Sequence, residues 1–366
     1  TVGRLKTGTP ARVKKSSLDF DAMLIQNGDL PLLPFSFDYD TVNRPSMDCY
    51  ITWTNEETHK IIRENIHRSP LYGGKIVGTG PRYCPSIEDK VVRFAERDRH
   101  QIFVEPEGVG TEEMYLNGLS SSLPEDVQSA FIHSIRGLEH AQVMRPAYAV
   151  EYDYLDPMQL HLSLETKQIK RLFIAGQTNG TSGYEEAACQ GLIAGINAAL
   201  SLRNEPPLVL SRTEAYTGVL IDDLVTKGTK EPYRMFTSRA EYRLNLRHDT
   251  ADQRLTPKGY SVGLQPEETM NRLKEKLEKI EAVKELLVSS KIDGKSCIDL
   301  LRKPEIVIND MLDDIPQLHE YDEAIRYQVN LDVKYEGYIR RQDRQVDRFV
   351  RMEKILIPDT FDYDAL

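Results

Sequence analysis

The chain has 366 residues, 40% of them hydrophobic, with 47 Lys and Arg against 57 Asp and Glu for a net charge of -10. This ordinary globular composition excludes wholesale disorder, collagen-like repeats and coiled-coil fibres, and the acidic balance excludes a bulk field that draws the protein onto nucleic acid, leaving only a local basic patch for that role. Apolar runs fall far short of the roughly 18 residues of a membrane helix, Cys49, Cys84, Cys189 and Cys297 form no CxxC pair, and the histidines show neither HxxxH nor HExxH spacing, so no membrane span, disulfide framework or metal site is expected, and a reducing cytoplasm is.

In chain order, Met47, Cys49, Ile51 and Trp53 alternate with polar residues and predict a strand that turns these four, Cys49 included, toward the core. A helix is expected over about 56–68. Residues 78–94 read GTGPRYCPSIEDKVVRF, where Ser86 followed by Asp89 is a capping-box pattern opening a helix that reaches about residue 97. Cys84 then falls on a proline-flanked loop two residues before the N-cap, where the helix end and Arg82 favour thiolate over thiol. Two readings stand for it, a nucleophile and a buried inert cysteine, and Gly78 and Gly80 add room for a phosphate to approach. Residues 101–105 and 113–117 predict a hairpin, and Leu160, Leu162 and Leu164 a later strand.

The segment LFIAG at 172–176 predicts a buried strand, followed by the glycine-rich turn QTNGTSG and a helix from about 185 to 202. Strand, glycine turn and helix form an α/β nucleotide-binding pattern. Ala187, Gly191, Ala194, Gly195 and Ala198 predict a thin helix face packed on a sheet, with Cys189 structural. Gln177 and Asn179 are polar reporters for a bound pyrophosphate or flavin edge, whereas Glu185 and Glu186 equally fit as first-turn acids answering the helix dipole. After Pro206 and Pro207 the chain becomes helical. Leu273, Leu277, Ile280, Val283 and Leu287 mark one amphipathic helix, and Tyr335, Ile339, Val346, Phe349 and Val350 a second. The second helix's other side carries Arg340, Arg341, Arg344, Arg348 and Arg351, open to reading as a solvated face or as an RNA or protein contact.

Several long strings carry a family resemblance: GRLKTGTPAR (3–12), GPRYCPSIEDKVVRF (80–94), QIFVEPEG (101–108), NGLSSSLPEDVQ (117–128), RPAYAVEYDYLDP (145–157), FIAGQTNGTSGYEEAACQGLIAGINAAL (173–200) and SRAEYRLNLR (238–247). In these the chain resembles the GidA/MnmG family of FAD-dependent enzymes that modify carbon 5 of the wobble uridine in tRNA. The resemblance implies an α/β fold class: part of a Rossmann-like FAD-binding domain (1–10 and 151–205), a β-rich inserted NAD and substrate domain (11–150), and a C-terminal helical region for tRNA and partner (206–366). It also implies FAD and NAD(H) as cofactors, methylenetetrahydrofolate as one-carbon donor, a cytoplasmic homodimer, and a GTPase partner in a heterotetramer. Cys84 matches the reactive cysteine. The cofactor-associated segment maps to Gly80, Pro81, Arg82, Tyr83, Cys84, Pro85, Ser86, Ile87, Glu88, Asp89, Lys90, Val91, Val92, Arg93 and Phe94, with Gln177, Asn179 and Gly180 at the flavin. Lys6, Arg82, Arg239 and Arg243 match basic positions for tRNA. The chain opens on Thr1 without the family's GxGxxG strand and turn, so a fragment lacking that half and the extreme C-terminus is expected, with weakened FAD affinity. The competing expectations are a flavin- and folate-dependent tRNA uridine methyltransferase and, for this fragment, a non-catalytic module binding tRNA and the partner.

Overall fold

The computed structural model describes residues 1–29, 32, 34–39, 41–80 and 85–353. It divides into two compact units, one of Thr1–Leu208 with Leu220–Met235, the other of Val209–Val219 with the chain from Phe236 onward.

In the first unit, β1 (Val2–Thr9) pairs antiparallel with the distant β8 (Tyr148–Leu155), in register from Val2 opposite Leu155 to Thr9 opposite Tyr148. This ribbon brackets everything between its strands. There β2 (Arg12–Lys14), β3 (Leu24–Gln26), β4 (Cys49–Trp53), β5 (Gln101–Pro106), β6 (Glu113–Asn117) and β7 (Val143–Arg145) form an antiparallel sheet in the order β3-β4-β5-β6-β2-β7. α1 (Glu56–Glu64), α2 (Ile87–Arg93) and α3 (Glu125–His133) contribute Ile62, Ile87, Val91, Phe131 and Ile132 to one core with Ile102, Val104, Met114 and Leu116 of the expected hairpin. Each such side chain contributes about 1.5–3 kcal/mol by leaving water.

β4 is built with the opposite face inward from the one its apolar alternation predicts. Thr52 and Thr54 are buried, while Cys49, Ile51 and Trp53 are only half-buried. Hydrogen bonds decide the matter: the Thr52 hydroxyl donates to the Arg136 carbonyl (2.8 Å), and Thr54 Oγ1 meets His59 Nε2 (2.7 Å) and accepts from the His100 N–H (2.7 Å). A satisfied threonine costs little to bury. Trp53 instead lies under the Arg99 guanidinium, 5.1 Å from its ring centre.

The histidines that share no sequence spacing meet here, with the rings of His59 and His100 5.2 Å apart. Burial, followed by the neighbouring His59, pushes the His100 pKa down to about 4. A histidine depressed in the fold takes up its proton in the unfolded chain first, so its stabilising contribution is complete above about pH 6.5 and is lost as pH falls toward 4. Urea unfolding should therefore show this contribution dropping by about 3 kcal/mol between pH 7 and pH 4, and His100→Gln should flatten that slope.

Leu160, Leu162 and Leu164 do not form the expected strand. The chain folds back at 161–164, with Leu160 bridging Thr166 and Leu164 at φ 66°, so Leu160 and Leu164 are buried and Leu162 is exposed. Residues 172–176 likewise form no ladder among the described residues; the segment is extended at Ala175, and Phe173 makes a single bridge to Glu165. Downstream come α4 (Tyr184–Leu202) and α5 (Tyr216–Lys227), which starts in one unit and ends in the other.

The second unit is helical: α6 (Ala251–Ser261), α7 (Glu267–Ser289), a small hairpin of β9 (Lys291–Ile292) and β10 (Lys295–Ser296), α8 (Cys297–Leu301) and α9 (Glu323–Glu353). Ile280, Val283 and Leu287 pack with Leu301, Val329 and Val333, so α9 is buried along its N-terminal half. Tyr335 is exposed and Ile339 and Val346 are half-buried, and the side chains of Phe349 and Val350 lie outside the described residues. Leu277 is exposed as well. No helix among the described residues is long and apolar enough to cross a membrane.

Candidate functional site

Residues 77–80 run alongside β1. The Lys6 N–H donates to the Thr79 carbonyl (3.0 Å), and the Glu151 carboxylate of β8 accepts from the Val77 (2.9 Å) and Gly78 (2.6 Å) N–H groups while pairing with Arg4 (3.0 Å). Burial opposes the charged form of Glu151, but the bonds from Gly78, Arg4 and Val77 outweigh it and hold its pKa low. A Cβ at Gly78 would sit 2.8 Å from the Leu5 backbone, and one at Gly80 2.8 Å from Lys6 Cε. These two glycines therefore admit the protein's own β1 rather than a phosphate.

Ser86 caps α2, accepting from the Asp89 N–H (3.4 Å). The return arm of the expected box differs: the Asp89 carboxylate accepts from the Ser86 hydroxyl (3.2 Å) and the Tyr72 phenol (3.1 Å), with Lys6 Nζ at 4.0 Å and Arg93 at 3.9 Å. Burial and the charge of Asp89 push the Tyr72 pKa up to about 12. Lys6, matched to a tRNA-facing role, is 3% exposed, so its placement is corrected from surface contact to buried cation beneath Gly80. Ile87 and Val91 are core residues, which removes them from direct cofactor contact. Glu88 is fully buried and accepts from the Ser122 N–H and hydroxyl, and Lys90 donates to the Gly118 carbonyl. Pro85 is half-buried, and Val92, Arg93 and Phe94 face solvent. Pro81, Arg82, Tyr83 and Cys84 lie outside the described residues.

The second cluster is the turn before α4. Gly176–Asn179 form one tight helical turn, and Gly180, at φ 80°, ends it in a conformation that glycine adopts without steric penalty. Gln190, fully buried on α4, makes four bonds, three of them to this turn. Its Oε1 accepts from the Gly176 N–H (3.3 Å) and Asn179 Nδ2 (2.9 Å), and its Nε2 donates to Thr181 Oγ1 (3.1 Å) and the Glu186 carbonyl (2.9 Å). Gln177 is exposed, whereas Asn179 is buried, so Asn179 braces the turn instead of reporting on a ligand directly.

α4 also buries an unexpected face. Glu186, Gln190 and Asn197 share one side of the helix with Ile193 and Leu200 and are buried; of the thin face Ala194 is buried and Ala187 and Ala198 are half-buried, while Gly191 and Gly195 are exposed, with nothing among the described residues within 4 Å of an added Cβ. Their helical spacing was the available signal, outweighed by the small residues opposite. The half-buried Cys189 donates its S–H to the Glu186 carbonyl (3.3 Å), in keeping with a structural place. Glu186 is not simply a dipole-answering acid: it binds the Met235 N–H (2.7 Å) and Arg234 Nε (3.3 Å). This contact, with the Thr181–Tyr233 bridge, explains why residues 220–235 belong to the first unit rather than to a helical region starting at 206. In the second unit Arg239 is half-buried, its carbonyl accepting from Arg212, and Arg243 is exposed with no side-chain partner among the described residues.

A long helix entered from a glycine turn without a side-chain cap, in an α/β unit interrupted by an antiparallel insertion and followed by helices, defines a Rossmann-like FAD-domain architecture with a helical C-terminal region. The chain belongs to the family described as glucose inhibited division protein A (GidA), which matches residues 1–206; the description "tRNA modifying enzyme MnmG/GidA C-terminal helical domain" matches 267–343. It is 55% identical over 378 aligned positions to the tRNA uridine 5-carboxymethylaminomethyl modification enzyme MnmG of Borreliella burgdorferi, and 54% identical over 382 to that of Syntrophotalea carbinolica. All of this chain aligns in both cases, against 61% and 62% of those proteins, so it spans about three-fifths of their length. The form I crystal structure of Aquifex aeolicus GidA superposes with a TM-score of 0.87 at 47% identity, covering the whole of this chain and 62% of that one.

Proposed function

We propose that this protein acts in FAD-dependent modification of carbon 5 of the tRNA wobble uridine, in the cytoplasm, as a homodimer working with a GTPase partner. The observation that carries the reading is the alignment of the whole chain at 55% identity with an enzyme of that name. The helical match over 267–343 favours it over the related flavin- and folate-dependent uridine methyltransferase.

The residues present fit a flavin. The exposed turn at Gln177 and Thr178 and the uncapped N-terminus of α4 offer backbone N–H groups, while Glu186 Oε2 is a buried acceptor with no hydrogen-bond partner among the described residues. Gln177 and Gly180 would hold its edge from this side, and bound FAD, with NADH as reductant, would supply the redox chemistry. Cys84 is the nucleophile: its thiolate adds to carbon 6 of the uracil, the electron pair moves to make carbon 5 nucleophilic, and carbon 5 attacks the iminium carbon formed from methylenetetrahydrofolate, whose C=N electron pair moves onto the folate nitrogen. Loss of the carbon 5 proton and expulsion of the thiolate restore the ring. Exposed Arg243 contacts tRNA phosphate, joined by Arg239.

Flavin uptake tests the reading. The purified chain incubated with FAD and passed through a desalting column should retain a visible flavin spectrum; a colourless chain that takes up no FAD at millimolar concentration would leave only the non-catalytic binding module. Arg243→Ala should weaken tRNA binding across sequences and reduce the slope of log affinity against log salt by about one, and an unchanged slope would remove the phosphate contact.

A further inference from the structure

We propose that residues 92–99, with the Trp53 ring against them, form a contact for single-stranded RNA in which Arg97 and Arg99 stack on bases; this rests on the RNA-modifying role proposed above and gives the first unit a surface for it.

The segment joins α2 to β5. The Phe94 N–H closes α2 on the Lys90 carbonyl (3.0 Å), the Arg97 N–H returns to the Phe94 carbonyl (3.0 Å), and the His100 N–H is fixed by Thr54 Oγ1 (2.7 Å). Val91 and His100 at its two ends are buried, yet every residue from 92 to 99 is exposed, including Val92 at 45% and Phe94 at 42%. Its arginines are placed by rings. Arg97 lies over Phe94, 5.7 Å from the ring centre, and Arg99 over Trp53 at 5.1 Å.

A stacked arginine can serve the fold alone, and Arg12 of β2 does so. It lies over Tyr115 (4.8 Å) and also pairs with Glu107 (3.0 Å), so its guanidinium is engaged within the first unit. Arg97 and Arg99 differ. They alternate with Glu96 and Asp98 but make no ion pair and no side-chain hydrogen bond among the described residues, in a chain with 57 acids. A guanidinium held against a ring keeps its donors and its outer side, and has already lost part of the rotamer freedom that a long side chain gives up on binding. A base fits there by its π-face, and the adjoining phosphate by its charge. Arg93, Arg97 and Arg99 against Glu96 and Asp98 are too small a cationic excess to hold a duplex by charge, and a duplex keeps its base faces within the stack. An acidic peptide would use the charges without the rings. Unstacked RNA uses both.

Trp53 is the chain's single tryptophan, so its fluorescence reports on this place. The whole chain, without FAD, is titrated with a short single-stranded RNA, with the duplex it forms with its complement, and with a polyglutamate peptide. The single strand should change the Trp53 emission saturably, the duplex should bind roughly tenfold more weakly, and the peptide should leave the emission unchanged. Arg97→Ala combined with Arg99→Ala should weaken single-strand binding roughly tenfold. Arg97→Lys combined with Arg99→Lys keeps both charges without the planar groups, and should still weaken it roughly threefold. Should the alanine pair not fold, the lysine pair decides alone. Wild-type affinity in the lysine pair, a duplex bound as tightly as the single strand, or the same emission change with the peptide overturns the stacking surface. Wild-type tRNA affinity in the alanine pair, read by mobility shift, likewise overturns it and leaves the RNA reading standing. A wild-type chain that binds no tRNA overturns that reading and the surface with it.

Discussion

Cys84→Ser should abolish uridine modification, by at least ~10³-fold in single turnover, while tRNA binding stays within about twofold of wild type. A serine hydroxyl in the same place is scarcely ionised near neutral pH and cannot add to carbon 6, yet it matches the thiol closely enough to leave the RNA surface intact. The assay is nucleoside analysis of a tRNA transcript incubated with every co-substrate, with a mobility shift on the same samples. Normal modification by the serine variant would remove Cys84 from the chemistry. The N-terminus of α2 is less open than sequence spacing implies. α2 has only seven residues, its Ile87 N–H is taken by the Ser120 carbonyl (2.7 Å), its Asp89 N–H by Ser86, and Glu88 and Asp89 already bring negative charge to the first turn.

This difference shows what sequence reading reaches. Local patterns were legible: the Ser86 cap, the hairpin of β5 and β6, and α4 all follow from residues a few positions apart. Apolar periodicity misled in the same way twice. In β4 the polar face is the buried one, and in α4 Glu186, Gln190 and Asn197 are buried beside Ile193, Ala194 and Leu200, because Thr52 and Thr54 find partners at Arg136, His59 and His100, and Gln190 finds the turn at 176–181. Those partners are 5 to 84 residues away, and no periodicity encodes whether a distant carbonyl will be waiting. The contact of His59 with His100 and the docking of 229–235 on Glu186 were hidden for the same reason. The family resemblance supplies roles for residues but not their depth: Lys6, matched to a basic position for tRNA, and Ile87, in the cofactor-associated segment, are both buried.

The logic of the buried polar face gives a second large effect. Gln190→Leu should lower the unfolding free energy by about 3–5 kcal/mol and weaken FAD retention at least tenfold. Leucine is close in size, so little of the loss is a cavity. The cost arises from stranded partners, each worth about 1–3 kcal/mol when buried without a bond: the Gly176 N–H and the Asn179 amide lose their acceptor and Thr181 Oγ1 loses its donor, while the Glu186 carbonyl keeps the Cys189 S–H. Asn179 is the worst placed, since its Oδ1 already lacks a partner and no other bond of its Nδ2 is present among the described residues. Gln190→Glu separates donor from acceptor, keeping an oxygen for Gly176 and Asn179 while losing both donated bonds and adding a buried charge, and it should be no better than leucine. The next residue supplies the control. Gly191 faces open space, and alanine there should leave stability unchanged or raise it by up to about 1 kcal/mol through helix propensity alone. Urea denaturation followed by far-UV circular dichroism distinguishes these outcomes: a Gln190→Leu midpoint equal to wild type would mean that the turn is held from elsewhere, and that Asn179 and Gly176 find new partners when Gln190 is gone.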